Sequence, residues 1–69
     1  MIDTKALKGI IVSRGLTQKD VAKHLGMTPK TFYEKMKKGV FGSDEMDGMI
    51  ELLSIENPGG IFFAQKVTS

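Results

Sequence analysis

The side chains best able to do chemistry in this chain are lysines, and they are unevenly placed. Nine of the ten basic residues fall in residues 1–39: Lys5, Lys8, Arg14, Lys19, Lys23, Lys30, Lys35, Lys37 and Lys38. Only Asp3, Asp20 and Glu34 oppose them there, which leaves a formal charge of +6. Residues 40–69 reverse the sign, with Asp44, Glu45, Asp47, Glu51 and Glu56 against Lys66 alone, or −4. The net charge of +2 conceals this split. A chain polarised in this way can offer one face to a polyanion and another to a different partner. The plainer alternative is that short helices solvate themselves with whatever charge is at hand.

Other chemistries find little support. Cysteine is absent and His24 is the only histidine, so no zinc set can be assembled, and His24 reads as a surface side chain. The acids Asp44, Glu45, Asp47 and Glu51 lack the alternating-oxygen spacing of a calcium loop and read as a solvated helix face. No Gly-rich phosphate loop, Gly-x-Ser-x-Gly elbow or nucleophile–base pair is present. The chain is therefore not expected to be an enzyme, nor to take a cofactor, a metal or a small-molecule substrate. No apolar run approaches the ~20 residues of a membrane span, and the N-terminus lacks a secretory pattern, so a cytoplasmic location is expected.

The elements that must position the lysines follow from periodicity and punctuation. With 41% hydrophobic and 26% charged residues the chain has a globular balance. At 69 residues it can bury only about 60% of its unfolded surface, near the lower limit for a domain folding alone. One domain, 1–69, is expected. Ala6, Leu7, Ile10 and Ile11 predict a helix over 4–13, capped by Asp3 and ended by Gly15. Thr17 followed three residues later by Asp20 is a capping-box variant that opens a short second helix, with Val21, Ala22 and Leu25 on its apolar stripe. Thr28 as cap and Pro29 at the first helical position open a third helix reaching Lys38, and Gly39 stops it.

A fourth helix is predicted over 43–54, with Met46, Met49, Ile50 and Leu53 inward and Gly48 weakening it by up to ~1 kcal/mol. Met27, Met36, Met46 and Met49 all fall on predicted core stripes. In the tail, 58–69, the short apolar run from Ile61 to Ala64 suits either a strand or an extended segment tucked against the core. The fold class is all-α, a four- to five-helix bundle.

The informative segment is 17–39. Two short helices flank a turn at Gly26, with Ala22 permitting close approach and Val21, Leu25, Met27 and Phe32 filling the wedge. That is a helix-turn-helix, whose second helix enters a major groove. The pattern Leu16-Thr17-Gln18-x-x-Val21-Ala22-x-x-Leu25-Gly26-Met27-Thr28, with Phe32 following, resembles the Cro/repressor-type helix-turn-helix domains of phage and bacterial regulators. The resemblance extends loosely over residues 4–54. One position departs from it: where such domains place a buried aliphatic three residues after Phe32, this chain has Lys35. Helix three is expected to rotate, or to run one residue longer, to compensate.

The resemblance implies site residues. Gln18 would donate to a phosphate and brace the recognition helix, unless it is merely an exposed first-turn residue. Thr28, Pro29, Lys30, Tyr33 and Glu34 occupy the outward N-terminal part of helix three. Lys30 can donate to guanine O6/N7 or to phosphate, Pro29 offers apolar contact, and Glu34 either accepts from cytosine N4 or pairs with Lys30 or Lys38. Lys35, Lys37 and Lys38 read as phosphate anchors, and Thr31 is either a contact or partly buried. Ile61, Phe62, Phe63 and Val67 form an apolar surplus that closes either a homodimer or the monomer's own core.

The expected function is a Cro-like, phage-type regulator binding double-stranded operator DNA as a homodimer. The alternative is an antirepressor that keeps the scaffold but binds a repressor protein, as the acidic second half and Glu34 suggest.

Overall fold

The computed structural model describes residues 2–62, all of whose regular structure is helical. The elements are α1 (Thr4–Ser13), α2 (Gln18–His24), α3 (Pro29–Lys38), α4 (Ser43–Leu53) and α5 (Pro58–Phe62). Each boundary has a local cause. The Ala6 N–H donates to Asp3 Oδ1 at 3.0 Å and opens α1. Thr17 and Asp20 form the reciprocal capping box of α2: the Asp20 N–H donates to Thr17 Oγ1 at 3.2 Å and the Thr17 N–H to Asp20 Oδ2 at 2.8 Å. Gly39, at φ 70°, takes the left-handed conformation that ends α3.

The helices enclose one apolar core: Leu7 and Ile11 of α1, Val21 and Ala22 of α2, Phe32 and Met36 of α3, and Met49 and Leu53 of α4, joined by Ile2, Phe41 and Ile55. Phe32 lies at its centre with 0% exposure. No polar or charged residue is buried among the described residues. Met46 and Ile50 are only partly covered, so the buried stripe of α4 is narrower than its sequence suggested.

The described part of the tail, residues 58–62, is neither strand nor extended, although Ile61 and Phe62 are tucked against the core. Pro58–Phe62 is a helical turn, α5. Asn57 caps it, accepting from the Gly60 N–H through its carbonyl O and its Oδ1, and Pro58 stands where a missing N–H costs nothing. Ile61 and Phe62 lie in the monomer core, 8% and 3% exposed. The Ile61 carbonyl accepts from the Asp3 N–H at 2.7 Å and so ties the last helix to the first. Phe63 and Val67, the other half of that apolar surplus, lie outside the described residues.

Gly48 takes on a second meaning. A Cβ at this position would stand 2.7 Å from Leu25 Cδ2, so the glycine lets α4 pass close to the end of α2. α4 is held at both ends by side chains from elsewhere. Arg14 Nε donates to the Leu53 carbonyl at 2.7 Å and Nη2 to that of Ser54 at 3.3 Å, satisfying carbonyls at the negative end of the helix.

Candidate nucleic-acid interface

The site is built on α2, the turn and α3. The α2 chain ends at Leu25, and Gly26 at φ 75° makes the turn that only glycine adopts without strain. The Met27 N–H then donates back to the Ala22 carbonyl at 3.0 Å. Thr28 starts α3: its Oγ1 accepts from the Thr31 N–H at 3.2 Å while its hydroxyl donates to Thr31 Oγ1 at 2.9 Å. Thr28 is exposed but its hydroxyl is engaged inside the cap, and Thr31 is half-buried.

Phe32 and Met36, four residues apart, fasten α3 to the core. The opposite side carries Lys30, Tyr33, Glu34 and Lys37 at i, i+3, i+4 and i+7, all exposed, with Lys38 beside them. Tyr33 is 45% exposed, a large aromatic surface left open on a helix in so small a protein. None of these side chains makes a hydrogen bond or ion pair among the described residues, so all can meet a partner without breaking anything. Glu34 in particular pairs with neither Lys30 nor Lys38. Pro29 and Gln18 are half-buried at the first positions of α3 and α2. His24 is exposed, and no group of three potential metal ligands occurs among the described residues.

Lys35 behaves differently from its neighbours. Its Nζ lies 2.9 Å from both carboxylate oxygens of Glu45 on α4. Glu45 also accepts from the Gly42 N–H at 2.8 Å, a cap bond at the start of α4. That backbone bond, and then the Lys35 bond, hold the Glu45 carboxyl below its ordinary value of 4.5. α3 runs unbroken to Lys38, because Met36 supplies the second buried contact and Lys35 turns to α4.

An open groove of about 380 Å³ lies beside the start of α3, lined by Lys19, Asp20, Lys23, Met27 and Pro29. The Asp20 carboxyl at its rim is held below 3.8, mainly by the Thr17 N–H and then by the Thr17 hydroxyl.

These features define a helix-turn-helix bundle. The family model described as "Bacterial regulatory protein, Fis family" matches residues 13–39, which span the end of α1, the whole of α2 and α3, and the turn between them. Neither a curated protein nor a solved structure matches the chain. No helix among the described residues is long and apolar enough to cross a membrane.

The sequence placed the caps and the outward face of α3, but it could not assign Arg14 and Lys35 to α4. Their partners lie 39 and 10 residues away in the chain. The displaced aliphatic at position 35 was the one signal that pointed to Lys35.

Proposed function

We propose that this protein is a sequence-specific DNA-binding transcriptional regulator that inserts α3 into the major groove. One observation carries the reading: α3 buries Phe32 and Met36 while leaving Lys30, Tyr33, Glu34 and Lys37 open on its other side and unbonded among the described residues. The Fis-family match to the same segment supports it.

In this reading Lys30 donates to a guanine edge or a phosphate, Tyr33 and Pro29 offer apolar contact, and Glu34 accepts from a cytosine amine. Lys37 and Lys38 neutralise phosphates, and Gln18 donates to a phosphate from the start of α2. Thr28 contributes through its position at the helix start, its hydroxyl being held by the cap. A module this small covers little DNA, so binding as a homodimer to two half-sites about 34 Å apart is proposed with it. The resemblance of residues 16–28 to Cro/repressor domains supports a repressing, phage-type role.

A second reading has its own observation. Asp44, Asp47 and Glu51 are exposed along one side of α4 and, with Glu34, would suit an antirepressor that docks on a basic partner protein.

Salt dependence of DNA retardation separates the two. Binding through Lys30, Lys37 and Lys38 should lose one to two orders of magnitude per protomer, and about three for the homodimer, between about 50 and 200 mM salt, at about 0.9 counterions per phosphate contact. A protein that retards no duplex at about 50 mM salt, yet forms a complex with a purified repressor, would refute the DNA reading.

A further inference from the structure

Four neighbouring lysines, Lys30, Lys35, Lys37 and Lys38, carry equal weight in a charge count, but only Lys35 has a partner among the described residues. We propose that the Lys35–Glu45 pair is a brace that sets the rotation of α3 about its own axis. Lys35 is then a positioning residue that governs base discrimination without touching DNA. The proposal rests on the DNA-binding reading above and names what tunes that site.

The contacts beneath α3 are apolar: Phe32 and Met36 in the core, and the Phe41 ring 5.4 Å from that of Phe32. Such contacts fix which face of the helix turns inward, but they are less directional than hydrogen bonds. Charge-assisted hydrogen bonds are directional, and Lys35 makes two of them at 2.9 Å from the flank of the helix. The acceptor is itself immobilised by the Gly42 N–H. The Lys35 carbonyl is fixed as well, because the N–H groups of Gly39 and Val40 donate to it at 2.8 and 3.1 Å.

Magnitudes show why this matters for discrimination. At about 6 Å from a helix axis, a rotation of about 10° moves a side-chain tip by about 1 Å. Good hydrogen bonds tolerate a spread of only about 0.5 Å. A small rotation therefore spoils base-edge contacts from Lys30 and Glu34, while phosphate attraction, which is long-ranged, hardly changes. The pair is part-exposed, 35% and 24% for the two side chains, so its effect on fold stability is small.

The test uses the full chain with a duplex obtained by selection from random DNA and a random-sequence duplex, across a salt series. Lys35→Met keeps most of the stem and removes the charge, Glu45→Gln keeps an acceptor for Gly42, and Lys35→Arg keeps the pair. Circular dichroism melts establish that each variant is folded. The brace predicts that Lys35→Met and Glu45→Gln each lower the selected-to-random affinity ratio by roughly three- to fivefold, the range of a part-exposed pair. The salt slope on random DNA stays at the wild-type value, and Lys35→Arg retains the ratio.

A phosphate-anchor role for Lys35 predicts the opposite. Lys35→Met would then reduce the slope by about one, and Glu45→Gln, by releasing Lys35 and removing an acid, would tighten binding to both duplexes. Either result overturns the brace, as does an unchanged ratio in a folded variant. Failure of the wild type to bind any duplex overturns the DNA reading itself, a result distinct from those three.

Discussion

Lys37 and Arg14 look alike in composition and do opposite work. Lys37 stands at the end of α3 with its ammonium unbonded among the described residues. Arg14 reaches across the bundle to the Leu53 and Ser54 carbonyls and fastens the end of α4 to the end of α1. The outward face of α3 thus has no bonds among the described residues and sits on a buried anchor, whereas α4 is held by polar contacts from other helices or their ends. A basic residue contributes to a partner surface only where no other part of the chain has claimed it. Of the basic side chains in residues 1–39, Arg14 and Lys35 already donate to partners within the protein.

The largest effect is expected at the buried anchor of α3. Phe32→Ala opens a cavity at the fully buried centre of the core and should cost about 3–5 kcal/mol, enough to unfold a domain of this size. Chemical denaturation would show the loss, and a variant that melts like the wild type would contradict the packing described for α3.

Arg14→Ala should cost about 1.5–3 kcal/mol in the same measurement, the range for hydrogen bonds to a charged group. Lys37→Ala should change stability by no more than about 0.5 kcal/mol, as is usual for an exposed side chain without partners. Similar losses for the two would erase the distinction between engaged and unengaged bases.

Gly48 sharpens the account of α4. Helix propensity alone says that Gly48→Ala should stabilise by up to ~1 kcal/mol. The 2.7 Å approach of Leu25 Cδ2 means that the end of this flexible side chain must shift, which takes back part of the gain. Gly48→Ala should therefore stabilise a Leu25→Ala background more than the wild type. Equal effects in both backgrounds would show that the close approach is unimportant.

The smallest effect is that of acid. Asp20 and Glu45 both have carboxyls lowered by their cap bonds, so each binds protons more weakly in the folded state than in the unfolded one. Their stabilisation is complete above the ordinary values of 3.8 and 4.5 and is lost as pH falls through the lowered ones. Melting temperature should decline on that acid side, and the combined Asp20→Asn and Glu45→Gln variant should decline less. A steeper decline in that variant would mean the sign is wrong.

Local features were legible in the sequence because their causes are local. Asp3, Thr17 and Thr28 cap helices through bonds to residues three positions on, and Gly26 and Gly39 turn the chain where they stand. The outward face of α3 was legible for the same reason, since the inward positions of Phe32 and Met36 fix it. The roles of Arg14, Lys35 and Gly48 depend on how α4 crosses the other helices, and no spacing within one helix encodes that. The α5 turn lay between these cases: Asn57-Pro58 is a start signal, but the apolar run after it is too short to show a period.

The account is tested most directly by selecting bound sequences from random duplex DNA with the wild type and with Lys30→Ala. If α3 reads bases, the wild type enriches a defined motif, and the variant loses preference at one or two positions while keeping the rest. No enrichment by the wild type would contradict base reading by the open face of α3, and identical motifs from both proteins would leave Lys30 a phosphate contact or no contact.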